Sequence, residues 1–163
     1  MTDSLPATPF AEGAKCPTQY GAICWRMHRG KVEVLLITSR DTGRWVIPKG
    51  WPMTGRSPAE AAAREAWEEA GVEGKVSDTG LGKFSYSKIF SAKRAMSCQV
   101  EVFGLRVAKL VDDFPERKQR RRKWFAAEKA ARKVNEPQLR DLLHHLPAEL
   151  GVGHVAREAL ASA

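Results

Sequence analysis

Glu65, Glu68 and Glu69 stand at positions i, i+3 and i+4 of the segment Arg64-Glu65-Ala66-Trp67-Glu68-Glu69. On an α-helix turning about 100° per residue, that spacing gathers all three carboxylates on one arc. Adjacent carboxylates repel one another unless a cation lies among them. Hard divalent ions suit such a set: Mg²⁺ takes oxygen ligands, keeps several of its waters and bridges protein carboxylates to phosphate oxygens. The commoner use of an acidic helical stripe is a solvated face, and only the surrounding sequence distinguishes the two.

The element that carries the triad is well marked. Ser57 is followed by Pro58 and, three residues on, by Glu60, a pattern in which Ser57 caps the helix, Pro58 takes its first position and Glu60 closes a capping box. Gly71 supplies the left-handed stop. The spacing therefore predicts a helix from Pro58 to about Ala70. Ala59, Ala62, Ala63, Ala66, Ala70 and Trp67 form its packing arc, with small residues that let the axis approach a sheet closely, and the acids lie nearly opposite.

In front of the helix stands Gly50, and Arg64-Glu65-Ala66-Trp67-Glu68-Glu69-Ala70-Gly71-Val72 follows at a fixed interval. This stretch resembles the Nudix box, whose pattern is Gly, five residues, Glu, seven residues, then Arg-Glu-apolar-any-Glu-Glu-any-Gly-apolar. The first Glu of that pattern is replaced by Arg56. The flanking Trp45-Val46-Ile47-Pro48-Lys49-Gly50-Trp51 and Arg122-Lys123-Trp124-Phe125 are similar to the diphosphoinositol-polyphosphate and diadenosine-polyphosphate branch of the family. The resemblance implies an α/β fold, a Nudix-type α/β/α sandwich with a mixed β-sheet between helices.

It also implies a chemistry. Glu68 and Glu69 would be the principal metal ligands, Glu65 a further ligand or the base that takes a proton from water, and Gly50 a carbonyl contribution to the metal. The metal would be Mg²⁺, with Mn²⁺ as a substitute. Arg64, within reach of both Glu60 and Glu68, would hold the carboxylates in place. Because Arg56 cannot pair with Arg64, Glu60 is expected to take over that pairing. Glu116, a lone acid before a basic run, is the candidate metal ligand or base from outside the box.

The rest of the chain reads as scaffold and wall. Its 163 residues, 43% hydrophobic and 28% charged, fit one globular domain. We expect a mobile tail over residues 1–15, the domain over 16–146 and a helical tail over 147–163. Tyr20–Trp25 and Val32–Thr38 read as a hairpin turned at Arg29-Gly30, with Trp45–Ile47 a short strand leading to the box. Gly80-Leu81-Gly82 reads as a break, followed by a strand pair over Lys83–Phe90 and Ser97–Val107. Helices are expected over Ala126–Val134 and Pro137–His145, the second with a leucine core face; adjacent His144 and His145 read as structural. Cys16, Cys24 and Cys98, odd in number and without metal-like spacing, imply neither a disulfide nor a zinc site, which fits a reducing cytoplasm. No apolar run is long enough to span a bilayer, so no membrane partner is expected.

The net charge of +8 and a pI near 9.7 favour a strongly anionic small-molecule partner by long-range attraction. Arg40, Arg44, Lys49, Lys88 and Arg122 are the candidate phosphate contacts, and Trp25, Trp51 and Phe84 the candidates for stacking on a base. Thr18 and Gln19 fall in an early strand where the inositol-phosphate branch tends to carry basic residues. The basic run 117–123 has no interleaved aromatics, so nucleic acid is the less favoured partner. The resemblance thus implies a Mg²⁺-dependent hydrolase cutting a phosphoanhydride bond in a diphosphoinositol polyphosphate or dinucleoside polyphosphate, with no oligomeric state fixed. The alternatives are an RNA 5′-end or nucleoside-triphosphate pyrophosphohydrolase, or a non-catalytic scaffold that binds nucleic acid or a partner.

Overall fold

The computed structural model describes residues 16–152. The expected N-terminal tail and most of the expected C-terminal helix lie outside them. Ten elements follow in order: β1 (Gln19–His28), β2 (Lys31–Thr38), β3 (Trp45–Val46), β4 (Lys49–Gly50), α1 (Pro58–Ala70), β5 (Val72–Ser91), β6 (Arg94–Leu110), β7 (Arg122–Ala126), α2 (Ala127–Lys133) and α3 (Pro137–Glu149). Five strands pair in the order β3-β2-β1-β6-β5, with β4 added to β1 and β7 to β2. The sheet is mixed: β1 runs parallel to β6, and the other pairs are antiparallel.

Successive strand residues face opposite ways, and β1 shows the result. Ala22 and Cys24 join Leu35, Ile37, Phe103 and Leu105 under the alanine stripe of α1, namely Ala59, Ala62, Ala66 and Ala70. Ile23 faces the other side, with Val34, Leu36, Phe84, Val100 and Val102 beneath Leu139, Leu143 and Leu146 of α3 and the alanines of α2. The architecture is therefore the expected α/β/α sandwich. Among the described residues no helix is long and apolar enough to cross a membrane.

Three expectations are corrected. Gly80-Leu81-Gly82 does not break the chain: β5 runs unbroken for 20 residues and absorbs the glycines as register shifts against β6, the usual use of glycine in a strand that bulges. Helix α3 continues past His145 and through Pro147 to Glu149, because a proline so near the C-terminus disturbs only the last turn. Cys16 and Cys98 form a disulfide with Cα atoms 5.3 Å apart. They are 82 residues apart in sequence and meet only because the parallel pairing sets Gln19 opposite Val100, which no cysteine spacing reveals. The remaining thiol, Cys24, is buried and pushed up to about 12 by that burial and by Glu69.

Candidate active site

Helix α1 begins as its sequence dictates. The Ser57 side chain accepts from the Glu60 N–H while the Glu60 carboxylate accepts from the Ser57 N–H at 3.1 Å. This closes the capping box and holds the Glu60 carboxyl below its usual range, mainly through that backbone bond. Glu60 consequently does not serve Arg64. Arg64 Nε donates to Glu68 Oε1 at 3.0 Å, and its guanidinium lies 4.6 Å from the centre of the Trp67 ring. Reaching back to the helix start occupies the carboxylate that was expected to cover for Arg56.

At the other end Gly71 adopts φ +67° and ψ +31° and returns its N–H to the Trp67 carbonyl at 2.9 Å. Arg122 locks this corner: Nη1 donates to the Ala70 and Val111 carbonyls at 2.8 and 2.7 Å, and Nη2 to Asp112 at 2.8 Å. Arg122, expected at the substrate, is instead a clamp between α1 and the end of β6. Removing it by Arg122→Ala should lower the unfolding free energy by about 2 kcal/mol in urea denaturation. Turnover should change little; a large loss of activity at unchanged stability would return Arg122 to the substrate wall.

The acids of α1 are not a solvated stripe. Glu65, Glu68 and Glu69 are 1%, 3% and 2% exposed, and Glu116 is 2% exposed beside them. The loop after β6 brings Glu116 in, its N–H donating to the Glu68 carbonyl at 3.0 Å. Arg120 then runs between two of the acids, with Nε at 2.8 Å from Glu116 and Nη2 at 3.5 Å from Glu69. From the opposite side β4 lays Gly50 against the triad: a Cβ on Gly50 would stand 2.3 Å from the Glu65 carboxyl carbon. That close approach is why the position is a glycine.

Each acid of the triad uses one oxygen and leaves the other without a partner. Glu68 is held by Arg64, Glu69 by Arg120, and Glu65 shares a side-chain hydrogen bond with Glu69. The Oε2 atoms of Glu65, Glu68 and Glu69 are buried without a hydrogen-bond donor. Burial first, then the bond to Glu69 and the neighbouring carboxylates, push Glu65 up to about 10. Burial and the shared bond therefore favour one proton held between Glu65 and Glu69. Glu69 is also raised by burial, opposed by the bond from Glu65 and by Arg120 and Lys49. No group of three or more acids, histidines or cysteines among the described residues already stands in metal-ligating geometry. Yet three orphaned buried oxygens of one sign fit a divalent cation, which would supply the missing partner and displace the proton.

Four of the five expected phosphate contacts lie near this cluster or near one another. Lys49, in β4, is half-buried, its Nζ 4.6 Å from the Tyr86 ring centre. Desolvation brings it down to about 8 against the opposing pull of Glu69, with Lys88 and Arg44 also lowering it. Lys88 lies 5.6 Å from the Trp51 ring centre and is lowered, first by burial. Arg44 bonds Glu136 at 2.8 Å, and Arg40 bonds Gln119 at 3.2 Å and lies 3.9 Å from Glu116. Of the stacking candidates, Phe84 belongs to the core and Trp25 packs against it; Trp51 remains at the cluster's edge beside Lys88. Sequence reasoning missed Arg120, Gln19, Tyr86 and Glu136. Only the i, i+4 spacing of Glu116 and Arg120 was a usable signal.

Only part of the basic run turns inward: Arg120 pairs with Glu116 and Glu69 and Arg122 with the helix corner, while Arg117, paired with Asp113 at 3.0 Å, and Lys118, Arg121 and Lys123 are exposed.

Comparison with known proteins shows the family and the fold. The chain is 36% identical over 103 residues to Nudix hydrolase 12, mitochondrial, of Arabidopsis thaliana, covering 61% of this chain and 51% of that protein. It is 34% identical over 110 residues to diphosphoinositol polyphosphate phosphohydrolase 3-alpha of Mus musculus, covering 66% and 63%. It thus spans about half to two thirds of the curated relatives it matches. Among solved structures, an Ap4A hydrolase binary complex of C. elegans shares the fold with a TM-score of 0.62 at 23% identity, covering 83% of this chain and 98% of that one. A NUDIX hydrolase from Nitrosomonas europaea does so with a TM-score of 0.63 at 19% identity, covering 83% and 90%. The family model of the NUDIX domain matches residues 17–146, the stretch that builds both the sandwich and the acid cluster, and the chain belongs to that family.

Proposed function

We propose that this protein is a divalent-metal-dependent hydrolase that cleaves a phosphoanhydride bond in a strongly anionic substrate, a dinucleoside polyphosphate or a diphosphoinositol polyphosphate. The observation that carries this reading is the buried triad Glu65, Glu68 and Glu69, each with one oxygen lacking any donor. Those oxygens, with the Gly50 backbone against Glu65, would hold Mg²⁺. When bound, Mg²⁺ supplies charge neutralisation on the diphosphate and acidification of water.

The protein's own residues do the rest. Arg64 fixes Glu68, and Arg120 fixes Glu69 and Glu116, so these carboxylates have little freedom to swing. Lys49, Arg44, Arg40 and Lys88 draw the phosphate oxygens to the same side. Glu65, once relieved of its proton, is the group placed to receive one from the attacking water. Phosphate release from a panel of diphosphates, with and without Mg²⁺, tests the reading: release confined to Mg²⁺-containing reactions is expected, and metal-independent or absent release contradicts it.

The proton on Glu65 links stability to pH. Its folded pKa lies near 10 against an ordinary 4.5, so the native state keeps a proton that the unfolded chain releases. Stability from this source is greatest below about pH 4.5 and declines as pH rises toward 10. Lys49, lowered to about 8, acts in the opposite sense only above about pH 8. Metal-free protein should therefore melt at progressively lower temperature from about pH 5 to 7.5, and saturating Mg²⁺ should flatten that slope. A metal-free melting temperature that rises across the window would contradict the protonated Glu65.

Arg56 lies exposed before α1 and lowers Glu60 electrostatically. Arg56→Glu restores the family pattern and should raise turnover at limiting Mg²⁺ by lowering the Mg²⁺ needed for half-saturation. A large fall would identify Arg56 as a phosphate contact.

A further inference from the structure

Glu136 is the residue that caps the start of α3, and its side chain makes no hydrogen bond to the helix's first N–H groups. Its Oε1 accepts from Arg44 Nη1 at 2.8 Å. Its Oε2 is buried with no donor, in a side chain only 9% exposed. A buried carboxylate oxygen left without a donor is costly and seldom retained without a use. Unlike the triad, Glu136 lies outside the box and on a different element.

Its neighbours join it to the catalytic cluster. Glu136 and Arg44 both act electrostatically on Lys49 and on Tyr86, and so does Glu69. Lys49 lies 4.6 Å from the Tyr86 ring centre and Arg44 bonds Glu136 at 2.8 Å, so the ion pair stands close enough to Lys49 for its charges to be felt there. Tyr86 donates its hydroxyl hydrogen bond to Gln19, so that pair adds no charge. Phosphate oxygens are matched by Lys49 and Arg44. The oxygen of Glu136 beside them is matched by a hydrogen-bond donor and repels a further phosphate.

We propose that Glu136 is a specificity-determining residue, whose free oxygen accepts a hydrogen bond from a hydroxyl or amino group on the part of the substrate beyond the diphosphate. Nucleoside-bearing polyphosphates offer such donors on ribose and base. An inositol ring esterified with phosphate at every position offers only anions. The site thus favours the dinucleoside polyphosphate class over the diphosphoinositol polyphosphate class. This rests on the proposed hydrolase reading and narrows it.

Glu136→Gln is the discriminating variant. Its amide oxygen can keep the bond from Arg44 while an amino group takes the place of the free acceptor. Binding by calorimetry and Mg²⁺-dependent turnover are measured for diadenosine tetraphosphate, a fully phosphorylated diphosphoinositol and inorganic tripolyphosphate, which has no donor. The wild type should prefer the dinucleotide. In the variant, its affinity and kcat/KM should fall roughly 10-fold or more, chiefly through KM, while the inositol compound gains and tripolyphosphate stays unchanged. A parallel change for all three ligands would mark Glu136 as purely structural and overturn the inference. So would a wild-type preference for the inositol compound, which needs no variant to be read. Binding preference without turnover of any compound would instead overturn the hydrolase reading and leave the role of Glu136 standing.

Discussion

Glu69→Gln is expected to lower Mg²⁺-dependent phosphate release by at least about 100-fold while the protein stays folded. Glutamine keeps the volume and one oxygen that can accept from Glu65 or Arg120, so packing beneath α1 is preserved. What is lost is the negative charge that acts on Glu65 and Lys49, and with it one of the three unpartnered carboxylate oxygens. Removing a carboxylate from among carboxylates relieves repulsion, so metal-free stability should hold or rise slightly. The stabilisation conferred by Mg²⁺, which grows with the ratio of free ion to dissociation constant, should largely disappear. Activity and Mg²⁺-induced melting shift are read on the same sample. Near-normal turnover would remove Glu69 from the machinery.

Gly50→Ala should be nearly as damaging, although it changes no charge. The added methyl would lie 2.3 Å from the Glu65 carboxyl carbon and 2.4 Å from its Oε1, far inside any real carbon contact. Either Glu65 swings out of the cluster or β4 lifts from β1, where Gly50 is registered with Tyr20. A displacement of about 1 Å at a reacting group costs on the order of 100-fold in rate. The expected outcome is a loss of that size in kcat/KM at subsaturating Mg²⁺, with far-UV circular dichroism unchanged. Wild-type kinetics in this variant would show that Glu65 is not held where it must be for catalysis.

What the sequence made legible was local. The capping box of Ser57 and Glu60, the alanine stripe, the stop at Gly71 and the spacing of Glu65, Glu68 and Glu69 all follow from rules that act within a few residues. The features that escaped it depend on strand pairing. Cys16 meets Cys98 through the parallel β1–β6 register. Arg120 was one base in a basic run until the loop after β6 folded it between Glu69 and Glu116. Glu136 carries no local signal, because its partner Arg44 lies 92 residues earlier in the chain. Glu60 and Arg56 fall between these cases: the sequence showed the missing acid, but two local rules competed for Glu60, and capping prevailed over the ion pair.

Whether the buried carboxylates of α1 form a divalent-cation site is read from a titration of metal-free protein with Mn²⁺, followed by electron paramagnetic resonance at neutral pH. The expected result is saturable binding that Mg²⁺ displaces, that releases the proton held between Glu65 and Glu69, and that is lost or sharply weakened in Glu69→Gln. Binding of equal strength in Glu69→Gln, or no saturable binding in the wild type, would contradict it.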